Sequence, residues 1–273
     1  MSQEAATASS LVPHLHNANA LSRAQSCGRG RFYSKSHSHM LRISDVEITL
    51  SGHSDLALDA RLKPYTTSQI ESNRHPHVDF EPQGQDPYED LYRLVREEFP
   101  KLGRFIAHMA VIAYNGAAYA FAAPSGTGKT THIRLWMDAF DPDVTVINGD
   151  KPLLKLGDPS ASEPPVTAYG TPWGGKEGWQ TNTSAPLAGL CFLARGDVDE
   201  CRRISPAMAF KPAMRQVYIP TDPRSALLTL DFLDVLLRSV PLYQLSCTMG
   251  KSAVKASFEA MTGLDFDTYA KES

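Results

Sequence analysis

Ser125-Gly126-Thr127-Gly128-Lys129-Thr130 is the stretch in which residue type and spacing point most directly to chemistry. Its glycines leave successive backbone N–H groups free to converge on phosphate oxygens, and a helix beginning just after them turns its positive end toward the same anion. Lys129 is then placed to reach the β and γ phosphates of a nucleoside triphosphate, and the Thr130 hydroxyl to ligate Mg²⁺. Thr131 adds a phosphate contact. The usual pattern is Gly-x-x-x-x-Gly-Lys-Ser/Thr, and Ala123 stands at its first position, so one glycine is missing. The alternative, a glycine-rich turn between two core elements, has no need of Lys129 and Thr130 directly after Gly128.

Asp150 is the second candidate. It follows the β-branched run Val144 to Asn148, and an acid at the end of such a strand serves as a Mg²⁺ contact, as the base for an attacking hydroxyl, or simply as the cap of the turn before Pro152. Lys151 reads equally as a substrate contact or a salt-bridged residue. Lys176 lies in Gly170-Thr-Pro-Trp-Gly-Gly-Lys-Glu-Gly-Trp179, where glycines permit close backbone approach and the cation can meet a transferred phosphate; the alternative is a surface lysine in a loop. Trp173 and Trp179 read better as anchors of that loop than as a substrate clamp. Structural or surface pairing is the reading for Arg134, Arg195, Arg202 and Arg203. A histidine such as His108, alone in an apolar run, is ordinarily a satisfied core residue.

The elements that must hold these residues are legible around them. Ala117 to Ala123 reads as the strand before the loop and Thr130 to Phe140 as the helix after it, while Phe105 to Tyr114 and Asn115-Gly116 make that strand the second arm of a hairpin with a type I′ turn. Val144 to Asn148 is expected beside the loop's own strand. Leu41 to Ser51 alternates like one strand, and Pro64 to Gln85 reads as polar and irregular. Asp86 or Pro87 opens a helix over Tyr88 to Phe99, ended by Pro100. Further on, Val166 to Gly170 reads as a strand, and Leu187 to Ala194 as another whose partner is Cys201 to Ile204. Pro206 to Val217, Pro223 to Val240 and Ser252 to Met261 read as helices, with a strand over Tyr243 to Cys247. Leu227, Leu228, Leu230, Phe232, Leu233, Val235, Leu236 and Leu237 are expected in the core.

A chain of 273 residues with 42% hydrophobic and 21% charged residues has ordinary globular composition, and a formal charge of −3 gives no reason to expect nucleic acid or an anionic membrane as partner. No run of eighteen apolar residues exists. Residues 1–39 read as a tail without catalytic residues, or Met40 as the start. The cysteines Cys27, Cys191, Cys201 and Cys247 are scattered, which suits reduced thiols in a cytoplasmic protein. His37 with His39, and His75 with His77, each lack a second ligand pair for a metal.

Taken together, His108 in FIAHMAV, Ser125 to Thr131, Asn148 to Pro152, and Gly170 to Trp179 with Asn182 and Thr183 resemble the superfamily of HPr kinase and ATP-dependent phosphoenolpyruvate carboxykinase, most closely its short HPr kinase-like branch. The resemblance covers Phe105 to the C-terminus. It implies an α/β fold, with a mixed P-loop sheet flanked by helices over 101–273 and a small N-terminal lobe over 40–100. It also implies a Mg²⁺-dependent kinase that moves the γ-phosphoryl group of ATP to a hydroxyl acceptor, serine-like, on a peptide, protein or small molecule. Lys129, Asp150, Lys176 and His108 are its implied catalytic set, Thr130 and Asp150 its metal ligands, and a homo-oligomer the assembly such relatives often form. The family commonly shows two adjacent acids where this chain has Gly149 then Asp150, so one carboxylate does two jobs or Glu177 helps. A non-catalytic or weakly hydrolytic ATP-binding regulator is the alternative.

Overall fold

The structure, a computed structural model, describes residues 39–51, 59–68, 74–248 and 250–271. The expected tail lies outside these residues except for His39, and so do Cys27 and His37. All described residues belong to one unit over Ser36–Ser273.

The chain opens with a four-stranded sheet. The stretch from Leu41 to Ser51 is not one strand but a hairpin, β1 (His39–Ile43) and β2 (Val46–Leu50), reversed at Ser44, whose φ is +60°. The segment expected to be irregular supplies β3 (Thr66–Thr67) on one side of the hairpin and β4 (His77–Phe80) on the other, in the order β3-β1-β2-β4. Prolines argue against strands there. At the edges of a sheet, however, a proline next to a short strand breaks no ladder. Helix α1 (Pro87–Glu98) begins where Asp86 predicts, its carboxylate accepting from the N–H groups of Tyr88 and Glu89. Pro100 falls within a 3₁₀ turn, Phe99–Leu102, that continues the helix.

The remainder builds a nine-stranded mixed sheet from β5 (Arg104–Ile106), β6 (Ala110–Tyr114), β7 (Ala117–Ala122), β8 (Val144–Asn148), β9 (Leu153–Leu156), β10 (Val166–Tyr169), β11 (Ser184–Arg195), β12 (Glu200–Arg203) and β13 (Leu242–Cys247). Its main path is β5-β9-β10-β11-β7-β6-β8. The long β11 pairs antiparallel with β10 through residues 184–186 and then parallel with β13 through 190–195. Two neighbours differ from expectation. β8 pairs with β6 and not with the loop's strand β7, whose second neighbour is the parallel β11; β12 pairs with β13, which inserts between it and β11. Sequence proximity favours hairpins, but burial of both faces lets distant parallel strands take the centre.

Both faces of the sheet are covered. Val111, Ala118, Ala120, Leu190 and Phe192 face α3 (Pro206–Met214) and α4 (Pro223–Ser239). The alternating residues Ile112, Tyr119, Phe121, Cys191 and Leu193 face α2 (Lys129–Phe140) and α5 (Lys251–Thr262), the latter followed by the single turn α6 (Phe266–Tyr269). The period of two, apolar on both sides, is why β7 and β11 read as unbroken apolar runs. Phe232, Leu233, Leu236 and Leu237 of α4 are in the core as expected, but Leu227, Leu230 and Val235 are exposed, at 64%, 41% and 40%, because α4 presents only one stripe to the sheet.

The N-terminal sheet and α1 share a cluster with Ile106, Leu153 and Trp173 of the larger sheet. Asp45, at the hairpin turn, fixes the two together: Arg104 of β5 donates to it at 3.0 and 2.5 Å and Lys155 of β9 lies 3.2 Å away. Burial alone would raise the Asp45 pKa, but these cations hold it well below the usual carboxylate range.

Candidate functional site

Topology brings together three residues far apart in sequence. β6 runs antiparallel to both β7 and β8, so the residues just before β6 lie beside the C-terminal ends of both neighbours. His108 precedes β6, the glycine turn follows β7, and Asp150 follows β8.

The turn from Pro124 to Gly128 leads into α2 through Gly128, whose φ of +115° is a left-handed value that glycine adopts without strain. No side chain caps this helix, whereas Asp86, Ser205 and Asp222 cap α1, α3 and α4. Its leading N–H groups therefore face the turn, an arrangement suited to an anion. Ala123, at the position of the absent first glycine, is 2% exposed with its methyl in the core cluster shared with Ile133 and Trp136. Its carbonyl accepts from Lys129 Nζ at 2.7 Å.

Lys129 Nζ also lies 3.4 Å from His108 Nε2, and that nitrogen lies 3.3 Å from Asp150 Oδ1. The other Asp150 oxygen accepts from Lys151 Nζ at 2.6 Å. Lysine, histidine, aspartate and lysine thus form one continuous polar chain at the mouth of the turn. The hydrogen bond with His108, reinforced by Lys151 and opposed by burial, holds the Asp150 carboxyl well below the usual carboxylate range. Burial pushes the Lys129 ammonium below its ordinary value, Asp150 opposing and Lys151 adding to the shift.

Asp150 does not cap its own turn. Asn148 does, fully buried, its Oδ1 accepting from the N–H groups of Asp150 at 2.9 Å and Lys151 at 2.7 Å while its Nδ2 donates to Thr171. The Thr171 hydroxyl in turn donates to the Lys151 carbonyl at 2.6 Å. These bonds lash the glycine-rich segment to the end of β8. The approach is close: a Cβ on Gly149 would stand 3.0 Å from the Gly174 carbonyl, and one on Gly174 would stand 1.8 Å from Gln180 Oε1. Trp173 anchors the segment as expected, 8% exposed and packed on Tyr92 of α1 at a ring separation of 4.9 Å. Trp179 meets Arg134 in a cation–π contact at 5.4 Å.

Lys176 stands apart. It is exposed and, among the described residues, has no hydrogen bond or ion pair; Glu177 is likewise exposed. Ser125, Gly126 and Thr127 form the turn as expected, and Thr130 and Thr131 sit half-buried in the first turn of α2. Gln216 is a contact that the sequence did not single out, and Arg195, read from sequence as a structural or surface pair, reaches the glycine turn. Arg195, ending β11, donates to the Gly126 carbonyl at 2.6 Å, and Gln216 Oε1 lies 3.1 Å from His108 Nδ1. Nothing local marks either residue, because each reaches the site through strand order.

A second strand-to-helix turn, Thr248 with Gly250-Lys251-Ser252 before α5, follows the parallel strand β13. A carboxylate belonging to the chain fills it: Asp199 accepts from Thr248 N at 2.6 Å, Thr248 Oγ1 at 2.9 Å and Ser252 Oγ at 2.5 Å. The turn before α2 holds no such acid.

Two recesses flank Asp150 and Lys151. One of about 300 Å³ lies under α1 and includes Asp150, Lys151, Arg61, Tyr88 and Gly175; the other, about 210 Å³, is lined by His108, Lys151, Arg215, Gln216 and Tyr218. For a metal, the donor set is one hydroxyl and one carboxylate, Thr130 and Asp150. Among the described residues no group of three or more His, Cys, Asp or Glu gathers, so these residues suit Mg²⁺ shared with phosphate oxygens and water, not an all-protein cage. Each Asp150 oxygen carries one of these partners and keeps a second lone pair with which to meet a metal.

No protein-family model matches the chain, and no curated protein sequence matches it. No helix among the described residues is long and apolar enough to cross a membrane.

Proposed function

We propose that the protein is an HPr kinase-like, Mg²⁺-dependent phosphotransferase that moves the γ-phosphoryl group of ATP to a hydroxyl acceptor, serine-like, on a peptide, protein or small molecule. The observation that carries this reading is the convergence of Lys129, His108 and Asp150 at an uncapped helix start that follows a glycine turn. Phosphoryl transfer depends on positioning and charge neutralisation more than on covalent help, and those are what this arrangement offers. The N–H groups at the start of α2 and the Lys129 ammonium bind the polyphosphate once Lys129 leaves the Ala123 carbonyl. Thr130 and Asp150 would hold Mg²⁺, which would neutralise phosphate charge. Asp150, kept ionised by its neighbours, accepts the hydroxyl proton as the acceptor oxygen attacks Pγ and the bond from Pγ to the β,γ-bridging oxygen breaks, that oxygen leaving with ADP. Lys151 keeps that carboxylate in place, and the recesses beside it offer room for the acceptor. Lys176 reaches the transferred phosphate only if the glycine-rich segment folds over the nucleotide.

The test is incubation of the purified protein with γ-labelled ATP, Mg²⁺ and a host lysate separated into small-molecule and macromolecular fractions, with Lys129→Ala as control. Label in either fraction that requires Lys129 supports a kinase and reveals the acceptor class. Binding of ATP without transfer favours a nucleotide-binding regulator, and absence of binding refutes the reading.

A further inference from the structure

His108 has two ring nitrogens, and what the ring does depends on which of them faces Asp150. The main chain alone does not decide this. The His108 N–H donates to the Gln216 carbonyl at 2.6 Å and the Met109 N–H to the Asp150 carbonyl at 3.0 Å, which places the Cα of His108 between the two segments but leaves the ring free to turn about its Cβ–Cγ bond. The Gln216 side chain supplies the missing constraint. It is 6% exposed, and its Oε1 lies 3.1 Å from Nδ1.

The geometry points to Gln216 as a positioning residue that selects the working face of His108. By accepting from Nδ1–H, its carboxamide oxygen commits that nitrogen and leaves Nε2 toward the site, where it accepts from Lys129 Nζ at 3.4 Å when the ring is neutral and donates to Asp150 Oδ1 at 3.3 Å when the ring is doubly protonated. Gln216 is itself well held. It lies just beyond α3, its N–H donates to the Ala213 carbonyl at 2.9 Å, and the next residue bridges to Ala107. One residue on, the Tyr218 hydroxyl donates to Glu97 of α1 at 2.6 Å, so the strap that carries Gln216 is tied to the N-terminal lobe as well as to the strand start. Other charged and titratable groups around the ring are Lys151 after β8, Arg215 beside Gln216, and Tyr92 and Tyr218 lining the same recess. Among the described residues, none of these hydrogen-bonds Nδ1.

Gln216→Leu keeps the approximate size of the side chain and removes the acceptor, whereas Gln216→Glu retains an oxygen at the same reach. Nitrogen-15 NMR of the imidazoles in nucleotide-free protein reads the ring directly. The expected result is a protonated, hydrogen-bonded Nδ1 for His108 in the parent and in Gln216→Glu, and a shift of Nδ1 toward the lone-pair type in Gln216→Leu. A lone-pair Nδ1 in the parent, or an unchanged signal in Gln216→Leu, overturns the assignment. The parent spectrum alone decides the question if the leucine variant does not fold.

A second measurement rests on the kinase reading. Gln216→Leu should lower kcat for transfer by about 10- to 100-fold with KM for ATP changed less than about threefold, because a misaimed ring disturbs the reacting groups and not the phosphate turn. Gln216→Glu should recover most of the loss. Equal kcat in the leucine variant and the parent overturns the positioning role. The NMR result needs no turnover, so it holds or fails independently of whether the protein is a kinase.

Discussion

The Lys129 ammonium rests on the carbonyl of Ala123, 2.7 Å away, within the turn that the lysine itself helps to close. Ala123 stands where the usual phosphate-loop pattern has its first glycine. The methyl group is accommodated because it points into the core beside Ile133, leaving the carbonyl free to receive the lysine. The alanine methyl at this position therefore lies in the core and not in the turn.

Replacement of Lys129 should separate stability from binding. The side chain is 9% exposed, and its charge is held without a direct ion pair to a carboxylate. Lys129→Met removes a poorly solvated cation and keeps its apolar stem, so thermal stability is expected to stay the same or rise slightly. ATP binding by calorimetry is expected to weaken by at least about 10-fold, the loss of roughly 1.4 kcal/mol or more from one charge-assisted contact. Unchanged affinity would remove Lys129 from the proposed phosphate site.

Asp150→Asn leaves shape intact and takes away the carboxylate in contact with His108 and Lys151. If the carboxylate is the base, transfer falls by about 10²- to 10⁴-fold while the circular dichroism spectrum stays that of the parent. Transfer within about tenfold of the parent sinks the mechanism and leaves Asp150 a structural role among its cations.

How far the sequence carried these conclusions differs between the turn and its surroundings. The Asn115-Gly116 hairpin, with φ of +50° and +77°, the helix start at Asp86 and the loop before α2 are each set by a few adjacent residues, and each was legible. Strand order was not, because it depends on which apolar faces meet across the whole sheet. β6 separates β8 from β7, and this is what sets His108 between Lys129 and Asp150. His108, read alone, looked like a core residue. Gln216 was invisible for the same reason: it lies 108 positions from its partner, in a segment with no motif. β3 and β4 were missed because short edge strands need little local preference when a hairpin already offers an open edge.

Gly170 tests how tightly the glycine-rich segment is lashed to β8. A Cβ there would stand 1.9 Å from the Thr181 carbonyl oxygen and 2.8 Å from that of Ile147, and both are backbone atoms that cannot turn aside. Gly170→Ala should therefore cost about 2 kcal/mol or more in a denaturant titration, at the upper end of ordinary overpacking. A variant as stable as the parent would mean that the segment is not seated against β8 as described.

His132 gives the fold a pH dependence separable from that of the site. It lies on the buried face of α2, 3% exposed, accepts from Trp136 Nε1 at 3.2 Å and lies 3.1 Å from Ser257 Oγ. Burial pulls its pKa from 6.5 down to about 4, with Asp199 weakly opposing. The unfolded chain therefore takes up a proton in a range where the folded protein does not, so this contribution is complete above the unfolded value and is lost as pH falls toward the folded one. Over that window the loss amounts to about 3 kcal/mol. His132→Gln keeps a polar group near Trp136 and Ser257 but cannot titrate. Chemical denaturation of both proteins from neutral pH down to about 4, the folded-state value for His132, should show a steeper fall in the parent than in the variant. Parallel curves would mean that the imidazole is protonated as readily inside the fold as outside it.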